Sequence, residues 1–204
     1  MIVMPTQRRE APFTPCCCIL EDMTLGLAVA DSDGIFAAIE SEGLPARGTT
    51  IAALTLNSKI LELQSGPEIL VLAAGGLDHW SHVAGCYVRQ RSLTDAADEV
   101  RHLLDECMGP ENRAFGLLFG FDGCSPQCYR INRFLGEDAT SLSEERLADV
   151  QPIGDPTLAL PAKEDAERDI AIGTDCLASL VGAIERRFPA KGMRRPTHVR
   201  VIRP

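Results

Sequence analysis

The stretch T-L-G-L-A-V-A-D-S-D-G-I-F-A-A-I-E, Thr24 to Glu40, decides the fold. It holds two short apolar runs, Thr24–Ala30 and Ile35–Glu40, on either side of the turn Asp31-Ser32-Asp33-Gly34. Asp and Gly supply the backbone freedom and local hydrogen bonds that a tight reversal needs, so the segment reads as a β-hairpin. Downstream the pattern repeats. T-I-A-A-L-T-L (50–56) and K-I-L-E-L-Q (59–64) are strand-like, Gly66-Pro67 marks a turn, and E-I-L-V-L-A-A-G (68–75) reads as a buried strand. After Gly75-Gly76 the texture turns helical to about Gln90. Thr94 then caps a clearer helix whose Ala97, Val100, Leu103, Leu104 and Cys107 recur at spacings of three and four.

A third hairpin follows, Ala114–Phe119 and Gln127–Asn132 about the turn G-F-D-G at 120–123. Residues 162–187 return to helical spacing through Ile170, Cys176, Leu177, Leu180, Val181 and Ile184, and Val199–Ile202 is a last strand. The order ββββ, αα, ββ, αα, β predicts an α+β domain in which two antiparallel sheets lie between paired helices. Upstream of the first hairpin the texture differs. Pro5, Pro12, Pro15, the cluster Arg8-Arg9-Glu10 and the triplet Cys16-Cys17-Cys18 carry neither periodicity. The division is therefore residues 1–23 as an N-terminal extension, a propeptide or a mis-assigned start, and residues 24–204 as one domain.

Composition narrows the partners. A chain of 204 residues with 45% hydrophobic and 24% charged residues can bury one sizeable core. A net charge of −9 gives no overall positive field for phosphates, and the basic stretch from Arg186 to Arg203 is local, so nucleic acid is not expected. The longest apolar run, Ile69–Leu77, is too short to cross a bilayer. The cysteines are one triplet and five scattered singly, unlike a secreted disulfide framework, so reduced thiols and the cytoplasm are the expectation. Asp78, His79 and His82 fit a helix start better than a metal site, and no metal or organic cofactor is assigned.

Thr24, Asp33-Gly34 and Glu40 stand at the spacing of a Thr-initiated strand, an Asp-Gly turn and a returning strand that ends in an acid. This resembles proteasome β-subunits and the bacterial HslV-type peptidases, which are N-terminal nucleophile (Ntn) hydrolases. N-S-K-I-L-E-L (57–63) is similar to the family's lysine-bearing strand entry, and L-A-A-G-G-L (72–77) to its strand-to-helix junction. L-L-F-G-F-D-G followed by Q-C-Y-R-I is similar to its G-G-x-D hairpin and next strand. The resemblance covers nearly the whole chain from Thr24. It implies the four-layer αββα sandwich of the Ntn hydrolases.

It also implies a chemistry. A threonine hydroxyl is a poor nucleophile unless a base takes its proton, and in this class the base is the threonine's own α-amine. Thr24 would be the nucleophile, Lys59 the cation beside its hydroxyl and Glu40 the carboxylate that fixes Lys59. Gly75 would offer its N–H to the oxyanion, with Gly76 beside it. Asp155, in G-D-P at 154–156, is the one carboxylate placed to assist the amine. The implied substrate is a peptide or unfolded protein, bound as an added strand between residues 41–50 and 75–79. The implied assembly is a homo-oligomeric ring, with a regulatory ATPase as a further partner.

Three alternatives stay open. Family members with propeptides carry Gly before the nucleophile, and this chain has Met23, so the chain either starts at Met23 in the cell and loses it, or keeps Thr24 blocked. A blocked Thr24 makes the protein a catalytically inactive structural or regulatory subunit, as does a register that aligns Gly26 with the family's strand glycine and puts Asp22 in the nucleophile's place. The remaining alternative is an Ntn amidase or transpeptidase acting on a smaller amide. Taken singly, Thr24 is a β-branched strand residue, Glu40 a strand end, Lys59 a surface charge and Gly75-Gly76 a turn; their coincidence carries the reading.

Overall fold

Strands β1 (Leu25–Asp31) and β2 (Gly34–Glu40) form the hairpin expected from the opening stretch. The Asp31 carboxylate accepts the Asp33 backbone N–H at 2.6 Å, which closes the turn locally. The computed structural model describes residues 24–40, 59–65, 68–88, 92–187 and 197–204. The extension 1–23 with Cys16, Cys17 and Cys18, the substrate-binding edge at 41–50, the strand read at 50–56 and the turn at Gly66-Pro67 lie outside the described residues.

The remaining elements are β3 (Ile60–Glu62), β4 (Gln64–Ser65), β5 (Ile69–Ala74), α1 (Leu77–Gly85), β6 (Tyr87–Val88) and α2 (Leu93–Cys107). After them come β7 (Ala114–Asp122), β8 (Ser125–Arg133), β9 (Ser141–Glu145), β10 (Gln151–Gly154), α3 (Pro156–Ala171), α4 (Cys176–Arg187) and β11 (Thr197–Ile202). The described residues thus form a mixed α+β structure with four helices and two antiparallel sheets, ordered β10-β1-β2-β11 and β3-β5-β7-β8-β9. A small parallel pair, β4-β6, stands apart.

The strands that carry the site are apolar on both faces, and each face has its own cover. Leu25, Leu27 and Val29 of β1, with Phe36 and Ala38 of β2, pack against Ala159, Ala162 and Ala166 of α3 and Leu180, Ala183 and Ile184 of α4. Ala28, Ile35, Ala37 and Ile39 face the other way and meet Leu70, Leu72, Leu117 and Phe119 of the second sheet. Val71 and Ala73 of β5 continue outward to Trp80 and Val83 of α1 and to Ala96, Val100 and Leu104 of α2. Period-two alternation thus sends successive residues into different cores, which explains why these strands read as unbroken apolar runs.

The structure corrects several sequence expectations. Helix α1 ends at Gly85, not Gln90, and gives way to β6. Helix α2 is capped by Ser92, whose hydroxyl accepts the Asp95 N–H at 3.1 Å; Thr94 lies inside the first turn and bonds Tyr129. The helical region read as 162–187 begins at Pro156 and breaks between Ala171 and Cys176. Strands β9 and β10 were not expected. β9, S-L-S-E-E, is a half-exposed edge strand with little apolar pattern, and β10, Q-P-I-G, is four residues long with a proline tolerated because it lies on an edge. No helix among the described residues is long and apolar enough to cross a membrane.

Candidate active site

Three strand ends converge at one buried point. Thr24 immediately precedes β1, Glu40 closes β2 and Lys59 immediately precedes β3. The Lys59 ammonium donates to Thr24 Oγ1 at 3.2 Å and forms an ion pair with Glu40 Oε1. Thr24 is 6% exposed, Lys59 3% and Glu40 0%, so the contact is held away from solvent. Burying an ammonium or a carboxylate alone is prohibitive, and each here supplies the other's counter-charge. The backbone fixes the lysine as well, since its carbonyl accepts the Ala73 N–H at 2.8 Å and ties it to the end of β5.

Thr24 is anchored from the opposite side by the β10–α3 junction. Leu25 pairs with Gly154, and the Asp155 backbone N–H donates to the Thr24 carbonyl at 3.0 Å. Gly154 has φ of 110°, and a Cβ there would fall 1.7 Å from the Thr24 carbonyl oxygen, so only glycine lets the two backbones approach. The Asp155 carboxylate, expected near the Thr24 nitrogen, accepts the backbone N–H and the hydroxyl of Thr157, each at 2.8 Å, and caps α3. Asp155 therefore reaches Thr24 through its main chain.

Gly75 and Gly76 link β5 to α1 with φ of 69° and 57°, left-handed values that glycine adopts without strain. A Cβ at Gly76 would lie 2.7 Å from the Arg113 carbonyl. Thr24 and Gly75 both face a cavity of about 450 Å³ whose wall also includes Ala74, Arg113, Phe115, Phe134, Gly154, Asp155 and Pro156. The sequence reading did not single out Arg113, Phe115, Phe134 or Pro156. The one available signal was F-L at 134–135, two large apolar residues directly after a strand, now seen 50% and 68% exposed.

The chemistry this arrangement can perform follows from donors and acceptors. An ammonium only donates, so Lys59 can stabilise negative charge on Oγ1 but cannot take the hydroxyl proton. While Met23 precedes it, the Thr24 nitrogen is an amide and is no base either. A free α-amine at Thr24 would supply one. Asp78, His79 and His82 lie in α1, and among the described residues no group of three or more His, Cys, Asp or Glu side chains is placed to hold a metal. Cys128 is buried between the sheets, where desolvation pushes its thiol up to about 12. Cys176 is pushed up to about 11, first by burial and then by Asp31. Neither is a nucleophile at neutral pH. No model of a known protein family matches the chain, and no curated protein is significantly similar to it.

Proposed function

We propose that this protein is an N-terminal-threonine amide hydrolase, acting on peptide bonds once Thr24 begins the chain. The observation that carries the reading is the buried contact of Lys59 Nζ with Thr24 Oγ1, backed by Glu40, with Thr24 itself lining an adjoining cavity. The order of covers, α3 and α4, sheet, sheet, α1 and α2, agrees with the αββα sandwich of the Ntn hydrolases. In the proposed reaction the Thr24 α-amine accepts the hydroxyl proton as Oγ1 bonds to the amide carbon. Lys59 stabilises the oxygen during proton loss, and the Gly75 N–H receives the carbonyl oxygen as it gains charge. The C–N bond then breaks, the proton passes to the leaving amine, and water hydrolyses the ester to regenerate Thr24. Assembly into a ring, with or without an ATPase, belongs to the same proposal.

The second reading is a silent subunit, supported by Met23 standing where family members with propeptides carry Gly. An Ntn amidase or transpeptidase is the third. One experiment separates active from silent: prepare the protein starting at Thr24 and at Met1, and treat both with a peptide electrophile that bonds the hydroxyl and α-amine of an N-terminal threonine. Labelling of Thr24 in the first protein alone, abolished by Lys59→Met, is the expected result. Absence of labelling in both supports the silent subunit.

A further inference from the structure

We propose that the cavity beside Thr24 is a subsite for an aromatic side chain flanking the amide to be cleaved. Phe115 and Phe134 meet edge to face in its wall, with centroids 5.3 Å apart and planes at 67°. Phe134 remains 50% exposed, which leaves part of its ring available to a further aromatic group. The strand end that carries it is rigidly held. Arg133, buried directly before it, donates to Asp105 at 2.8 Å and to the Met108 carbonyl at 3.2 Å. Thr140 adds its backbone N–H and hydroxyl to the same Asp105 oxygen. A ring presented from such a support loses little freedom on binding.

Charge at the cavity selects for the same group. Among the described residues its wall carries one cation, Arg113, and one carboxylate, Asp155, so neither an acidic nor a basic side chain gains a field of one sign from them. A flat ring does gain, through edge-to-face contact with the phenylalanines. A saturated ring of similar size fills the space without that interaction. About 450 Å³ lies within the range of small-ligand pockets and accommodates one such side chain.

The subsite rests on the amide-hydrolase reading only for the identity of the neighbouring bond, and its test separates the two. N-acetyl-phenylalanine amide and N-acetyl-cyclohexylalanine amide are titrated into the full chain, with backbone amide shifts at Gly75 and Gly154 read by NMR. The phenyl compound should bind roughly 2- to 10-fold more tightly. Phe134→Leu, at a half-exposed position that tolerates the change, should shrink the difference, and an unchanged difference would overturn the subsite. Equal affinities, or shifts confined to residues away from this cavity, would overturn the subsite. The matching peptide amides are then offered to protein starting at Thr24. The phenyl preference without hydrolysis of either peptide keeps the subsite and overturns the hydrolase; hydrolysis of both at equal kcat/KM overturns the subsite alone.

Discussion

At the scale of single residues, the Glu40–Lys59 pair separates stability from function. Glu40→Gln leaves the buried ammonium without its carboxylate, and the expected cost is about 3–5 kcal/mol, read as a lower urea midpoint at unchanged slope. Replacing both charges, Glu40→Leu with Lys59→Met, should recover most of that loss, because two apolar side chains need no counter-charge. Labelling of Thr24 should stay absent in the double variant, which identifies the pair as retained for chemistry. The thiols give a second check. At pH 8 iodoacetamide should modify exposed Cys124 in the folded protein and leave Cys128 untouched until denaturant is added. Because burial raises the folded thiols to about 12 and about 11 from 9.0, their contribution is full below pH 9 and is lost as pH rises to 11–12. Alkaline unfolding should therefore steepen above pH 9, and Cys128→Ala should flatten it.

Elements carry the alignment of those residues. Gly154 lets β10 lie against the start of β1, so Gly154→Ala must push the Thr24 carbonyl away and slip the edge strand. The expected result is loss of Thr24 labelling together with early amide exchange in β10, measured by hydrogen–deuterium exchange. Asp155→Ala removes only the α3 cap and should cost about 1 kcal/mol, with labelling reduced far less than by Gly154→Ala. This scale is also where the sequence was least legible. Hairpins β1–β2 and β7–β8 could be read because apolar runs flank Asp-Gly turns, and helix α2 because its stripe is regular. β9 and β10 could not, since edge strands draw order from their neighbours' hydrogen bonds and need no pattern of their own. The cap at Ser92 rather than Thr94 turns on backbone angles that composition does not encode.

For the whole molecule, the meeting of Thr24, Glu40 and Lys59 was legible only through resemblance, because periodicity gives no distances between strands. Of the cavity's wall, Thr24, Gly75 and Asp155 were named through the same resemblance, and the aromatic side was not. Arg113 immediately precedes β7, Phe115 lies in it and Phe134 immediately follows β8, and only the stacking of the second sheet on the first brings them to Thr24. A ring, if formed, should appear in light scattering as a mass several times 22.1 kDa; a lasting monomer would remove the compartment from the proposal. The sheet order has a last consequence. β2 is zipped on one side to β1 and on the other to β11, residues 197–202, so the strand bearing Glu40 acquires its second neighbour only after a segment more than 150 residues downstream has left the ribosome. A nascent polypeptide halted before that point exposes the Gly34–Glu40 edge, and any trimming ahead of Thr24 that requires the finished pocket must wait until residues 197–202 have been made.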